Sequence, residues 1–296
     1  MPSWGQVLSE LQSLSSPLDV VRRKYLAHME SMTTRNVIAY YSGFLQRSTS
    51  GVSISDLDTN GLMNAIHGLD RTKGLDLLLH TPGGDLCATE AIVRYLREAF
   101  GADIRCFVPQ IAMSAGTMIA CACKEIYMGH QSSLGPIDPQ FGGIPAHGVI
   151  EEFKRAVKDV KINPASIPVW QPIIGRYHPT FIGECEKAIE LSGALAKAWL
   201  QTGMFLSDPS AKSLATRVVR SLNNHRDTKM HARHISAKEA QAIGLKVKML
   251  EEDNALQDTV LTIHHAYMHT FSNSDCEKII ENHKGAAIIT HAGKAG

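Results

Sequence analysis

Charge of one sign, aromatic density, paired cysteines and long apolar runs are all scarce in this sequence. Each scarcity removes a class of function. Lys and Arg number 30 against 29 Asp and Glu, a formal net charge of +1, so no strong field draws the chain to nucleic acid or anionic lipid. Aromatic residues make up 6%, too few for a base-stacking surface. The six cysteines (Cys87, Cys106, Cys121, Cys123, Cys185 and Cys276) form no CxxC pair and no zinc-ligand spacing. In a chain of 296 residues they read as reduced, mostly buried thiols. No apolar run approaches the about 18 residues of a membrane span. The N-terminus, MPSWGQVLSELQ, lacks the basic and apolar regions of a signal peptide. These absences give the expectation of a cytoplasmic protein that binds neither nucleic acid nor membrane. No GxGxxG fingerprint and no Gly-Lys-Ser/Thr of a P-loop occur, so no cofactor is expected. His264-His265, and His231 with His234, lack a third ligand at a telling spacing, so no metal is expected either.

Hydrophobic residues make up 44%, enough for one large core. Trp4, Val7, Leu8 and Leu11 share one helical face; Val20, Val21, Tyr25, Leu26 and Met29 mark a second short helix. Residues 1–33 read as a helical arm. Strands are expected at Asn36–Tyr41, Leu75–His80, Ile104–Val108 and Glu125–Met128. Helices are expected from Ser53, over Asp85–Phe100 and from Ser114. This alternation marks βαβ units and a parallel sheet. Beyond residue 143 the pattern is mainly helical, with helices over Val149–Val160, Phe181–Leu200 and Ser210–Leu222. The Pro-rich passage between the first two reads as irregular; its Tyr177 and Thr180 either line a groove or pack a loop. Ser236-Ala-Lys-Glu is a capping box and Gly244 a helix stop. Lys246–Leu250 reads as a final strand. The tail from Glu251 reads as a helical extension, so the division is 1–33, 34–250 and 251–296.

Two motifs carry chemistry. After the strand LDLLLH comes Thr81-Pro82-Gly83-Gly84-Asp85. Two consecutive glycines let main chain approach a ligand closely, and the end of a parallel strand is a place for substrate. The alternative is a tight turn without a ligand. One βαβ unit later Ser114 leads the small-residue helix SAGTMIACA, beside the N–H of Ala115. A serine there is an ordinary N-cap or a nucleophile. The Gly-Gly turn tips the balance toward the nucleophile, because together the motifs supply an attacking oxygen and N–H groups aimed at an oxyanion.

TPGGDLCATEAI, FVPQIAMSAGTMIACACKEIYMGHQSSLGPIDPQ and HISAKEAQAIGL, in that order, resemble the Clp-protease/crotonase fold superfamily. Within it the chain is most similar to the serine dehydrogenase proteinase family, relatives of signal peptide peptidase A. The resemblance spans about residues 36–250. It implies an α/β fold, a Clp/crotonase-type spiral of βαβ units with added N- and C-terminal helices. It implies Ser114 as nucleophile, with Gly84 (and Gly83) and Ala115 giving the oxyanion-hole amides. It also implies a homo-oligomer. The general base stays open. Where Clp proteases carry their histidine, this chain has Asp138. Where signal peptide peptidase A relatives bring a lysine, it has His147, with Lys154 further along. His231 stands just before HISAKEAQAIGL, and Asp227 lies near the position of the Clp triad aspartate. Two arrangements compete: Ser114–His147 with Asp138 or Asp227, and Ser114–His231 oriented by Asp138. The function expected is an ATP-independent serine peptidase acting on peptides or unfolded segments. The alternatives are a non-catalytic peptide-binding assembly protein and a crotonase-like acyl-CoA enzyme.

Overall fold

The computed structural model describes residues 17–223 and 231–293. The helix read over Trp4–Leu11, and Asp227, lie outside them. Helix α1 (Pro17–Thr33) leads into strand β1 (Asn36–Ser42), then α2 (Asp58–Ile66), β2 (Leu75–His80), α3 (Leu86–Phe100) and β3 (Ile104–Val108). A two-residue strand β4 (Ile111–Ala112) precedes α4 (Ala115–Cys121) and β5 (Glu125–Met128). Then come β6 (Ser133–Leu134), the small ribbon β7 (Gln140–Phe141) and β8 (Ile144–Pro145), and helices α5 (Ala146–Ile162), α6 (Ile167–Ile174), α7 (Phe181–Thr202) and α8 (Ala211–Asn223). The described chain closes with β9 (Ile235–Ser236), α9 (Ala237–Ile243), β10 (Val247–Met249), α10 (Asn254–Ser272), β11 (Cys276–Asn282) and β12 (Ala287–His291).

The architecture is mixed α/β. Seven strands form one sheet in the order β10-β5-β3-β2-β1-β11-β12. The five from β10 to β1 are parallel; β11 lies antiparallel to β1, and β12 antiparallel to β11. Every residue of β1 and β2 is buried. Mainly apolar runs such as the Leu77–Leu79 stretch of LDLLLH follow from a sheet covered on both faces. Alternation decides which helix each side chain meets. Ile38, Tyr40, Leu77, Leu79, Cys106 and Val108 face α2, α3 and α4. Val37, Ala39, Tyr41, Leu78 and Phe107 face α1 and α10. Leu26 and Met29 of α1 belong to this second core.

The sequence reading and the structure differ in three places. The helix read from Ser53 starts at Asp58, because the Ile54 backbone is taken up in pairing with Gly84. The Pro-rich passage contains a helix, α6, whose Pro168 falls in its first turn, where an N–H has no helical acceptor in any case. The tail from Glu251 is not helical throughout, and β10 is not the last strand. After α10, β11 pairs with β1 and β12 with β11. Charged side chains conceal that strand. Lys278 is buried beside Asp58, with Nζ donating to Oδ1 at 2.7 Å; Asp58 also accepts from Tyr40 at 2.7 Å. Glu281 accepts from Arg22 and from Tyr267, each at 2.6 Å. Charged residues in a strand read as solvent-facing, yet here Lys278 and Glu281 are paired inside.

Candidate active site

Two loops meet at the C-terminal edge of β2 and β3. Thr81 continues β2 and pairs in parallel with Ala112: its N–H donates to Ile111 at 3.1 Å, and Met113 N–H donates back to Thr81 at 3.0 Å. This stitch fixes the glycine turn against the serine turn. Ile54 clamps the turn from the other side, its N–H donating to Gly83 at 2.8 Å and its carbonyl accepting from Asp85 at 2.9 Å. A side chain does not fit at either glycine. A Cβ on Gly83, at φ +97°, would lie 2.8 Å from both the Met113 carbonyl and Ser114 Cβ; one on Gly84 would lie 2.3 Å from Ile54 N. Asp85 ends the glycine turn and starts α3. Its carboxylate caps α3, accepting from Ala88 N–H at 2.7 Å.

Ser114 sits at φ +51°, ψ −116°, in a region that L residues avoid. Its side chain makes no capping hydrogen bond to α4. That separates it from the ordinary N-cap reading. A sharp strand-to-helix turn of this kind lifts a serine oxygen clear of its own helix. The strain persists because the surrounding turn is fixed on both sides, and such outliers cluster at functional sites. Thr117 helps to hold the turn, donating to the Ala112 carbonyl at 2.8 Å and accepting from Gly135 N–H at 2.9 Å.

The glycine amides are not equivalent. Gly83 N–H donates to Thr81 Oγ1 at 3.2 Å. Gly84 N–H and Ala115 N–H have no protein acceptor among the described residues, which leaves both available to a ligand. Gly83, Gly84, Ser114, Ala115 and His231 line one cavity of about 630 Å³. Its remaining wall is largely apolar, with Met118, Ile137 and Leu86, and with Ala188 and Ser192 from α7.

His231 points into this cavity and pairs behind it with Asp138. Its Nδ1 lies 2.9 Å from Asp138 Oδ1, and the aspartate is fully buried. A carboxylate only accepts, so Nδ1 is the donor in this bond, and in the neutral ring Nε2 then keeps the lone pair. Asp138 is held between α8 and α5, where Ile137 N–H donates to Leu222 at 3.0 Å and Ala146 N–H to Pro139 at 3.0 Å. His147, on the first turn of α5, has Nε2 at 3.4 Å from Asn223 Oδ1 and does not line the cavity. Lys154 is exposed on the same helix and does not line it either. The structure therefore brings Ser114, Gly83, Gly84, Ala115, His231 and Asp138 together and leaves His147 and Lys154 outside. Tyr177 packs between Phe153 and Phe181, away from the cavity. Met204 and Phe205 are core. The sequence reading missed Thr81 as partner of Gly83, Ile54 as the clamp, and Ser192 and Ala188 as wall. Thr81 is only two residues from Gly83, but Ile54 meets the turn across 29 to 31 residues and the α7 wall residues lie more than 70 beyond Ser114, which no local pattern records.

Two uncharacterized proteins of Methanocaldococcus jannaschii, MJ0137 and MJ1495, are each 38% identical to the chain, over 102 and 98 residues. Those matches cover 34% and 33% of this chain, and the chain spans only 35% and 33% of the two relatives. Among solved structures, the 1510-N membrane-bound stomatin-specific protease, as a serine-to-alanine mutant, aligns with 70% of this chain and 79% of its own at 18% identity and a TM-score of 0.42. Residues 15–166, about half of the chain and the part that contains both loops, match the family model of ClpP-like SDH-type serine proteinases; the chain belongs to that family.

Proposed function

We propose that the chain is a serine peptidase whose working group is Ser114, His231 and Asp138. The observation that carries this reading is the His231–Asp138 pair, which opens onto the same cavity as a strained, uncapped Ser114. Ser114 Oγ attacks the scissile carbonyl. His231 Nε2 takes its proton and returns it to the leaving amine. Asp138 fixes the ring and stabilises the imidazolium. The amides of Gly84 and Ala115 hold the oxyanion; losing one such donor typically costs about 10²–10³ in rate. Gly83 serves by shape, since its amide is engaged by Thr81. Water then hydrolyses the acyl-enzyme. Relative to the Clp pattern, acid and base exchange places: the aspartate follows the serine helix, and the histidine comes later in the chain.

The finer fold reading, a Clp/crotonase-type spiral with residues 34–250 as catalytic unit, is supported by the order of the parallel strands. The cavity volume lies within the usual range for small ligands, which favours a few residues of extended peptide as substrate over a folded protein. Six free cysteines fit a reducing compartment such as the cytoplasm. No helix among the described residues is long and apolar enough to cross a membrane. Val157, Ile162 and Val169, exposed on α5 and α6, favour a homo-oligomer. The deciding test is labelling with a fluorophosphonate. We expect stoichiometric labelling of the protein and none of Ser114→Ala. Failure of the folded wild type to label overturns the peptidase reading and leaves a peptide-binding protein.

A further inference from the structure

The open end of the β11–β12 hairpin gathers three different donor groups. Cys276 begins β11 and stands directly opposite His291, the last residue of β12. Directly opposed residues have Cβ atoms about 4.5–5.5 Å apart, close enough for both side chains to meet one ion. The Cys276 Sγ to His291 Nδ1 distance is 3.8 Å, and His291 Nδ1 is 2.6 Å from Asp275 Oδ1. All three donor atoms lie within 4.8 Å of one another. Consecutive strand residues face opposite sides, so Asp275 and Cys276 would diverge in a regular strand. Here Asp275 precedes the strand, and the register shifts between Cys276 and Lys278. The Ala292 N–H donates to the Asp275 carbonyl at 2.9 Å, which closes the end. Arg47 holds the turn from behind, donating to the carbonyls of Ser274 and Cys276.

We infer that Asp275, Cys276 and His291 form a binding site for a borderline divalent metal ion, Zn²⁺ or Co²⁺. Thiolate with imidazole selects these ions over Mg²⁺ and Ca²⁺, which take oxygen ligands. With metal–nitrogen bonds of about 2.0–2.1 Å and metal–sulfur bonds of about 2.3 Å, tetrahedral neighbours stand about 3.5 Å apart. The sulfur–nitrogen pair is near that spacing already. The nitrogen–oxygen pair must open by about 1 Å, and Asp275, exposed to solvent, has room to rotate. Both Asp275 and His291 face solvent, so water completes the shell. The ion would join the two ends of the hairpin and fasten the edge strand β12 to β11. The site lies outside the catalytic cavity and does not depend on the peptidase reading.

The test is a Co²⁺ titration of chelator-treated full-length protein. Wild type is expected to show a near-ultraviolet thiolate-to-cobalt charge-transfer band with tetrahedral visible bands, saturating at one equivalent and bleached by Zn²⁺. Cys276→Ser should lose the near-ultraviolet band. His291→Ala, at an exposed position, should weaken binding by more than about tenfold. Cys87→Ser, which removes the one exposed cysteine, should titrate as wild type. No charge-transfer band in wild type, or an unchanged titration of His291→Ala, overturns the site. If Cys276→Ser does not fold, His291→Ala decides alone.

Discussion

Replacing Asp138 by asparagine keeps the shape of the side chain and removes its charge. Its consequence can be worked from the hydrogen bond it makes. Asp138 is fully buried, and its Oδ1 lies 2.9 Å from His231 Nδ1. The carboxylate only accepts, so the ring proton sits on Nδ1 and Nε2 is free to receive the serine proton. An asparagine amide can donate instead. It then stabilises the tautomer with its proton on Nε2, where the Ser114 proton must go. Burial keeps water from restoring the first tautomer. In other serine peptidases this change costs about 10⁴ in kcat, or about 5.4 kcal/mol at 1.36 kcal/mol per tenfold. KM should change little, because Asp138 does not line the cavity. The assay is the rate of fluorophosphonate labelling, followed by turnover of a peptide found by library screening. Urea unfolding checks that the variant is folded. Labelling of folded Asp138→Asn within about tenfold of wild type would refute the reasoning and return His147 and Lys154 to consideration as base.

Ser114→Gly relieves the strain at φ +51°, whereas Ser114→Ala keeps it. Both should be inactive, with Gly the more stable by about 1 kcal/mol in urea unfolding after its larger unfolded-state entropy is counted; a less stable Gly variant would contradict the strain argument. Lys278→Met strands the buried Asp58 carboxylate and should cost about 3–5 kcal/mol. The double variant Asp58→Asn/Lys278→Met should cost clearly less than the sum of the singles, and simple additivity in denaturant melts would refute the pairing. Full burial pulls the His80 imidazole down to about 3, opposed by the Ile111 backbone. His80 therefore stays neutral when folded but takes up a proton when unfolded below about pH 6.5. Its stabilisation is complete above that pH and is lost as pH falls toward 3, with a slope of up to about 1.4 kcal/mol per pH unit. His80→Phe should flatten the pH dependence of the urea midpoint between pH 6 and 4; an unchanged slope would place the acid sensitivity elsewhere.

Much of the fold was legible because each of its signals is local. Strand β2 is where LDLLLH says it is, since a strand covered on both faces is mainly apolar, here with Asp76 paired to Arg35 and Arg105 at its start. Helical spacing of apolar residues marked α3, and a capping box marked α9, for the same reason. Strand β11 was not legible, because its Lys278 and Glu281 are neutralised by Asp58 and Arg22, partners more than 200 residues away. The start of α2 was misread because Ile54 serves a loop that the local sequence does not contain.

The sequence by itself determined where the glycine turn and the serine turn lie. Both depend on backbone geometry that only small residues at fixed offsets allow, so PGGD and MSAG announce them. Only the tertiary structure shows which histidine meets both Asp138 and the cavity. Asp138 and His231 are 93 residues apart, and nothing in their spacing favours that pair over His147. The choice came from where α8 and α5 hold Asp138, and from which imidazole then reaches both the carboxylate and the cavity. The same holds for Asp275, Cys276 and His291, which no motif spacing connects and which a strand register brings together.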